Sequence, residues 1–235
     1  MKRFCLILSL LFTLGTFAQD NPLQRHYLKV YSQALAYNDL NTAINALQGY
    51  IAVDNDLKYK DTLSMLYFSN KAYVSSLILA EEVYKTAPSE FNAMARAAEC
   101  YDELGDPKTA VNLYEQVVPK LNSPFYTYKL AVGQYQLKRS LEAEQSANAV
   151  LLDTSSKRIG VNFVGADGRT QAVPVNAAAA NLLGVLKMDV KEYAAAKVFF
   201  QRSLDLYPKF EGARQNLEYA DKNLKPASKT GTKTK

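Results

Sequence analysis

Apolar residues recur every three or four positions through most of the chain, the spacing that gathers them on one face of an α-helix. The clearest stretch, Ala177 to Phe210, holds two such patterns parted by a polar turn at Asp189 to Lys191, and Pro208 stops the second. The same pair of patterns is read from Phe91 to Pro124, with a turn at Gly105 and Asp106, and from Leu57 to Glu90, closed by Pro88. Gln24 to Asp56 turns at Asn38 and Asp39, and Pro124 to Asp153 supplies a further pair. Glu211 to Leu224 is a single, mostly polar helix suited to closing an array.

The helical period fails between Asp153 and Asn176, where Ile159, Val161 and Phe163 alternate with Gly160 and Asn162, and Val173 and Val175 flank Pro174. Alternation of period two predicts a β-hairpin over about 157–175, with Asp167 and Gly168 at the reversal. Pro174 cannot donate to a strand ladder and is expected at an edge. A lone hairpin is only marginally stable, so this one should rest on flanking helices through Ile159, Val161 and Phe163. As an insertion between complete helix pairs, it is expected to be dispensable for the helical core.

Self-comparison gives a period of about 34 residues. Small residues recur in step at Gly184 and Ala196, at Ala98 and Ala110, and at Ser64 and Ser76, with Ser203 later in its unit; four residues after the second of each pair stand bulky Phe200, Tyr114 and, in the earlier unit, Ala80. Ala43 with Leu47, and Ala131, Ala143, Ala147 and Val150, continue the series more weakly. In this the chain resembles the tetratricopeptide repeat family, in which small residues let paired helices approach closely. The resemblance implies an all-α helical solenoid of about five helix pairs plus a C-terminal capping helix, over 19–224, with the hairpin inserted. It also implies that the first helix of each pair lines a concave, partner-binding groove. Carried onto this sequence, the groove receives Met65 and Phe68, then Glu99, Asp102 and Glu103, then Tyr128 and Tyr135. The family's basic clamp for C-terminal carboxylates does not occur at these positions. An extended or helical segment carrying Lys or Arg between apolar anchors is the expected ligand.

The first twenty residues, MKRFCLILSLLFTLGTFAQD, combine a basic start, an apolar run and small residues before Ala18. This is a secretory leader expected to occupy 1–18, its apolar run shorter than the roughly 20 residues of a membrane span. With its interrupted repeats and its Asn and Lys richness, the chain is similar to exported tetratricopeptide proteins of Bacteroidota. That likeness implies a periplasmic or outer-membrane-associated protein. The last eleven residues, KPASKTGTKTK, read as a disordered, Lys-rich tail over 225–235.

The ends also carry the charge. The chain holds 28 Lys and Arg against 23 Asp and Glu, for a net +5. Setting aside Lys2, Arg3, Lys225, Lys229, Lys233 and Lys235 leaves 22 against 23. The body thus lacks the positive field of a nucleic-acid-binding domain. Loss of the leader would remove Cys5 and leave Cys100 alone, a buried thiol rather than half of a disulfide. The one histidine, His26, sits among helix-packing residues, and no metal-ligand spacing, phosphate-binding glycine loop or complete calcium loop follows Asp54 and Asp56. No cofactor or catalytic residue is assigned. The sequence points to a non-catalytic protein-protein interaction scaffold of the cell envelope, with protein partners and peripheral envelope association. The alternative is a glycan-acting hydrolase on a helical frame, whose carboxylate pair letters alone would not reveal.

Overall fold

The computed structural model describes residues 21–165 and 168–224. The expected leader over 1–18 and the expected tail over 225–235 lie outside them, as does Asp167 at the hairpin reversal. The chain divides into two compact units, residues 1–59 and 60–235.

The first unit contains α1 (Pro22–Ala36) and α2 (Leu40–Val53) and ends in the first turn of α3 (Leu57–Ser69). Asn21 caps α1, accepting from the Leu23 amide, and Asp39 caps α2, accepting from both the amide and the hydroxyl of Thr42. Ala43, Ala46 and Leu47 are buried, and a methyl group placed on Gly49 would come within 2.3 Å of the Tyr27 ring. The glycine is therefore what lets α1 and α2 approach this closely.

The second unit continues through the rest of α3 and α4 (Tyr73–Thr86), α5 (Phe91–Glu103), α6 (Pro107–Leu121), α7 (Pro124–Gln136) and α8 (Ser140–Leu152). A 3₁₀ turn (Thr154–Arg158) then leads into β1 (Gly160–Val164) and β2 (Thr170–Pro174), followed by α9 (Val175–Asp189), α10 (Tyr193–Leu206) and α11 (Glu211–Asn223). Each paired helix is turned into its partner by one residue in the left-handed region. These residues are Asn38, Lys71, Gly105, Lys138 and Lys191, which lie 33, 34, 33 and 53 residues apart along the chain. The longer last interval measures the insertion: some twenty residues are added, and the helical pattern then resumes.

Small residues meet where the helices cross. Ser64 and Ser76 are fully buried and exchange hydrogen bonds, each hydroxyl donating to the other's carbonyl at 2.8 and 2.9 Å. Ala98 and Ala110 pack in the α5–α6 crossing, and Gly184 takes the Phe200 ring so closely that an added methyl would meet it at 2.4 Å. Ser203 donates to the Ala177 carbonyl at 2.7 Å, tying α10 to α9.

The hairpin pairs antiparallel, with Val161 opposite Val173 and Phe163 opposite Gln171. Its inner face is not a detachable addition. Val161, Val173 and Val175 belong to the same buried cluster as Ala131, Ala147 and Leu183, and Phe163 meets Phe210 edge-on at 4.8 Å. The Gln171 side chain donates from Nε2 to the Lys209 carbonyl at 2.6 Å. This packing stands against the expectation that the hairpin is dispensable for the helical core: two strands too short to be stable alone are held by apolar burial that the helices in turn share.

Candidate protein-binding site

The first helices α3, α5 and α7 of three successive pairs line a cleft of about 370 Å³. It is bounded by Asp61, Met65 and Phe68 of α3, by Arg96 and Glu99 of α5, and by Tyr126 of α7. Asp61, Met65 and Phe68 are spaced four and three residues apart, so one face of α3 presents all three. Met65 is 49% exposed, a large apolar side chain left open at the cleft rim.

The charges inside are arranged in pairs. Arg96, almost fully buried, donates from Nη1 to Asp61 Oδ1 at 2.5 Å, linking α5 to α3. Lys129 Nζ lies 2.5 Å from Asp102 Oδ2, linking α7 to α5. Glu99 sits between these pairs. Burial raises its carboxyl to about 7, against the opposing pull of the Lys129 and Arg96 charges, and with a smaller push from Glu103 and Asp102. The Tyr126 hydroxyl bonds to Glu99 and is itself raised to about 12, chiefly by burial and then by the Glu99 charge. Behind them Tyr114 stacks on Tyr126 with ring centres 6.3 Å apart.

Of the residues expected to face a partner, Met65, Phe68 and Glu99 are brought together in this cleft. Asp102 is paired with Lys129, and Glu103 accepts from the Tyr73 hydroxyl, which burial and then the Glu103 charge raise. The three acids thus do not form one continuous acidic patch; neighbours on α4 and α7 take up two of them.

Tyr128 is a correction. It is buried, and it belongs to the core cluster that also contains Val161, Val173 and Val175. The left-handed turns at Gly105 and Lys138 put α7 33 residues after α5, so Tyr128 corresponds to Ala95, which is also fully buried. This side of the helix faces its neighbours, and a tyrosine there fills a space that alanine leaves. Tyr135 packs partly buried against the same cluster, bonds to Asp189, and has Lys138 Nζ 5.6 Å from its ring centre.

Asp61, Arg96 and Tyr126 were not anticipated. A readable signal existed for Arg96, the one charge in the apolar run AMARAA, and for Asp61, one helical turn before Met65. Tyr126 had none, because PFYTYK offers three aromatic residues of equal standing.

No protein-family model matches the sequence, and no curated protein does either. Solved structures do match in shape. MamA residues 41-end from Desulfovibrio magneticus RS-1 superimposes with a TM-score of 0.65 at 14% identity, over 81% of this chain and 98% of that one. YrrB, described as a TPR protein with an unusual peptide-binding site, gives 0.66 at 13% identity, over 82% and 90%. A tetratricopeptide repeat protein from Parabacteroides merdae gives 0.68 at 13% identity, over 86% and 74%. The chain has the tetratricopeptide-repeat fold.

In that fold the cleft lies on the first helices of three pairs, the arrangement that the repeat resemblance implies for partner binding. Among the described residues, no helix is long and apolar enough to cross a membrane. Among the same residues, no group of three or more His, Cys, Asp or Glu is placed to hold a metal ion.

Proposed function

We propose that the protein is a non-catalytic scaffold of the cell envelope that captures a protein segment in the α3–α5–α7 cleft. The observation that carries this reading is the joining, in one cleft, of open apolar contacts at Met65 and Phe68 with a half-buried carboxylate at Glu99. Apolar anchors supply buried area, and a desolvated carboxylate selects a cationic side chain between them. Arg96 and Asp61 already satisfy each other, so an incoming Lys or Arg is directed to Glu99. The peptide-binding site described for YrrB, a protein of similar shape, supports a segment rather than a small molecule as the ligand. The leader pattern at Lys2, Arg3 and the following apolar run supports the envelope setting.

The test is photo-cross-linking in the native cell, with benzoylphenylalanine placed at Met65 and, as a control, at the exposed Val198 on α10. Capture of a partner from position 65 and not from 198, through a peptide bearing Lys or Arg, is the expected result. Adducts from 198 alone would move the site off the cleft. The intact mass of the native protein, expected to start at Gln19, tests the export step separately.

A further inference from the structure

A second feature, unrelated to the cleft, is the outer edge of the hairpin. The Val175 amide donates to the Ile159 carbonyl and the Gly165 amide to the Arg169 carbonyl, each at 2.8 Å. Bonded and non-bonded pairs alternate along an antiparallel ladder. The bonded pairs inside these limits are therefore Val161 with Val173 and Phe163 with Gln171. It follows that the amides and carbonyls of Gly160, Asn162 and Val164 point away from β2. Among the described residues none of them has a hydrogen-bond partner. All three residues are exposed, Val164 to 71%, and no charge or proline guards this side of β1. The opposite edge is different: at Pro174 β2 has no amide to offer, and the chain passes straight into α9.

Charge decides what fits. Lys157 and Arg158 stand exposed immediately before β1, and neither has an acidic partner among the described residues. Pairing two copies of the chain edge to edge would gather four such charges around one short sheet. An acidic segment would instead be attracted to them.

We infer that the outer edge of β1 accepts an extended segment of a partner protein as a third strand, with carboxylates at the end beside Lys157 and Arg158 and an apolar residue against Val164. Main-chain bonds to Gly160, Asn162 and Val164 would give affinity, and the flanking charges would set polarity and choice. From Arg158 to Val164 is six residues, about 20 Å of extended chain, so the acidic and apolar determinants of the partner are separated by that distance.

The probes are two fluorescein-labelled ten-residue peptides of alternating Thr and Val, one ending in two Asp at its N-terminus and one at its C-terminus, with Lys-ended versions as controls. Fluorescence polarisation on the full chain should show one Asp-ended peptide binding at least tenfold more tightly than its Lys counterpart. Lys157→Glu with Arg158→Glu should invert that preference. Asn162→Pro removes an outward amide that the β1–β2 ladder does not use and should abolish binding of both. Hydrogen exchange of the unmodified protein should show the β1 amides slowed at least tenfold by the Asp-ended peptide, which keeps the test independent of how well the proline variant folds. Absence of binding, binding without charge preference, or unchanged β1 exchange would overturn the inference. A dimer in sedimentation equilibrium that Asn162→Pro dissociates would overturn it in favour of a second copy. Binding lost through Met65→Ala with Phe68→Ala but kept in Asn162→Pro would assign the peptide to the cleft, leaving the proposed function standing and this edge without a ligand.

Discussion

Replacing Glu99 by glutamine should remove a pH dependence that this one side chain writes into the stability of the protein. Its carboxyl lies at about 7 in the folded chain against an ordinary value of 4.5, with burial as the main cause. The charges and titratable groups facing it include Arg96, Lys129, Asp102, Glu103, Tyr126, Tyr114 and the Cys100 thiol. A carboxyl raised on folding binds its proton more tightly in the folded state, so the group favours folding at low pH and this advantage is lost as pH rises through 4.5 to 7. A carboxyl at about 7 rather than 4.5 is worth about 3 kcal/mol, of which about 2.5 kcal/mol is lost between pH 5 and pH 8. Glutamine keeps the shape and an acceptor for the Tyr126 hydroxyl while it carries no proton to lose. Urea unfolding at pH 5 and pH 8 would measure this as a double difference, since all other groups titrate in both proteins. The variant should retain about 2.5 kcal/mol more stability than the native chain on going to pH 8. Parallel profiles for the two proteins would refute the reasoning, and would mean that water or the neighbouring cations stabilise the Glu99 charge fully.

Three further outcomes follow from packing. Gly184→Ala should cost about 1–3 kcal/mol in chemical denaturation, because the added methyl would lie 2.4 Å from the fully buried Phe200 ring, which has little room to yield. Val173→Ala should cost about 1–3 kcal/mol, by removing a fully buried side chain from the core that hairpin and helices share; a melt identical to that of the native chain would return the hairpin to the status of an appendage. Tyr114→Phe should leave stability unchanged or raise it by up to about 1 kcal/mol, since the Tyr114 hydroxyl is buried with no partner among the described residues. A clear loss of stability in thermal unfolding would show that the hydroxyl is paired.

The helices and their pairing were legible because burial at each crossing demands a small residue. Ser64 with Ser76, and Gly184 beside Phe200, keep that demand visible in the letters. The hairpin was legible from the alternation of Ile159, Val161 and Phe163. Its integration into the core was not, because the contact of Phe163 with Phe210 and the bond from Gln171 to Lys209 join residues some forty positions apart. In the cleft, Met65, Phe68 and Glu99 could be placed by helical spacing alone. Tyr128 could not, since its burial depends on what the insertion and α9 bring against α7. Nor could the division of the acids, which turns on Lys129 reaching Asp102 and Tyr73 reaching Glu103 from other helices.

Cys100, the only cysteine among the described residues, is fully buried on α5, and burial holds its thiol above the ordinary value. A thiol reagent in solution can reach it only when that part of the molecule opens. The rate of labelling at this atom therefore reports the frequency of opening of the α5 neighbourhood, without any engineered probe. The Ser64–Ser76 crossing and the Glu99 cleft lie in the same unit, so a partner that closes the cleft should lower the labelling rate in proportion to its occupancy. One residue from Glu99 in the chain, the protein thus carries a clock for the opening of this unit, which would also time the binding proposed for the cleft.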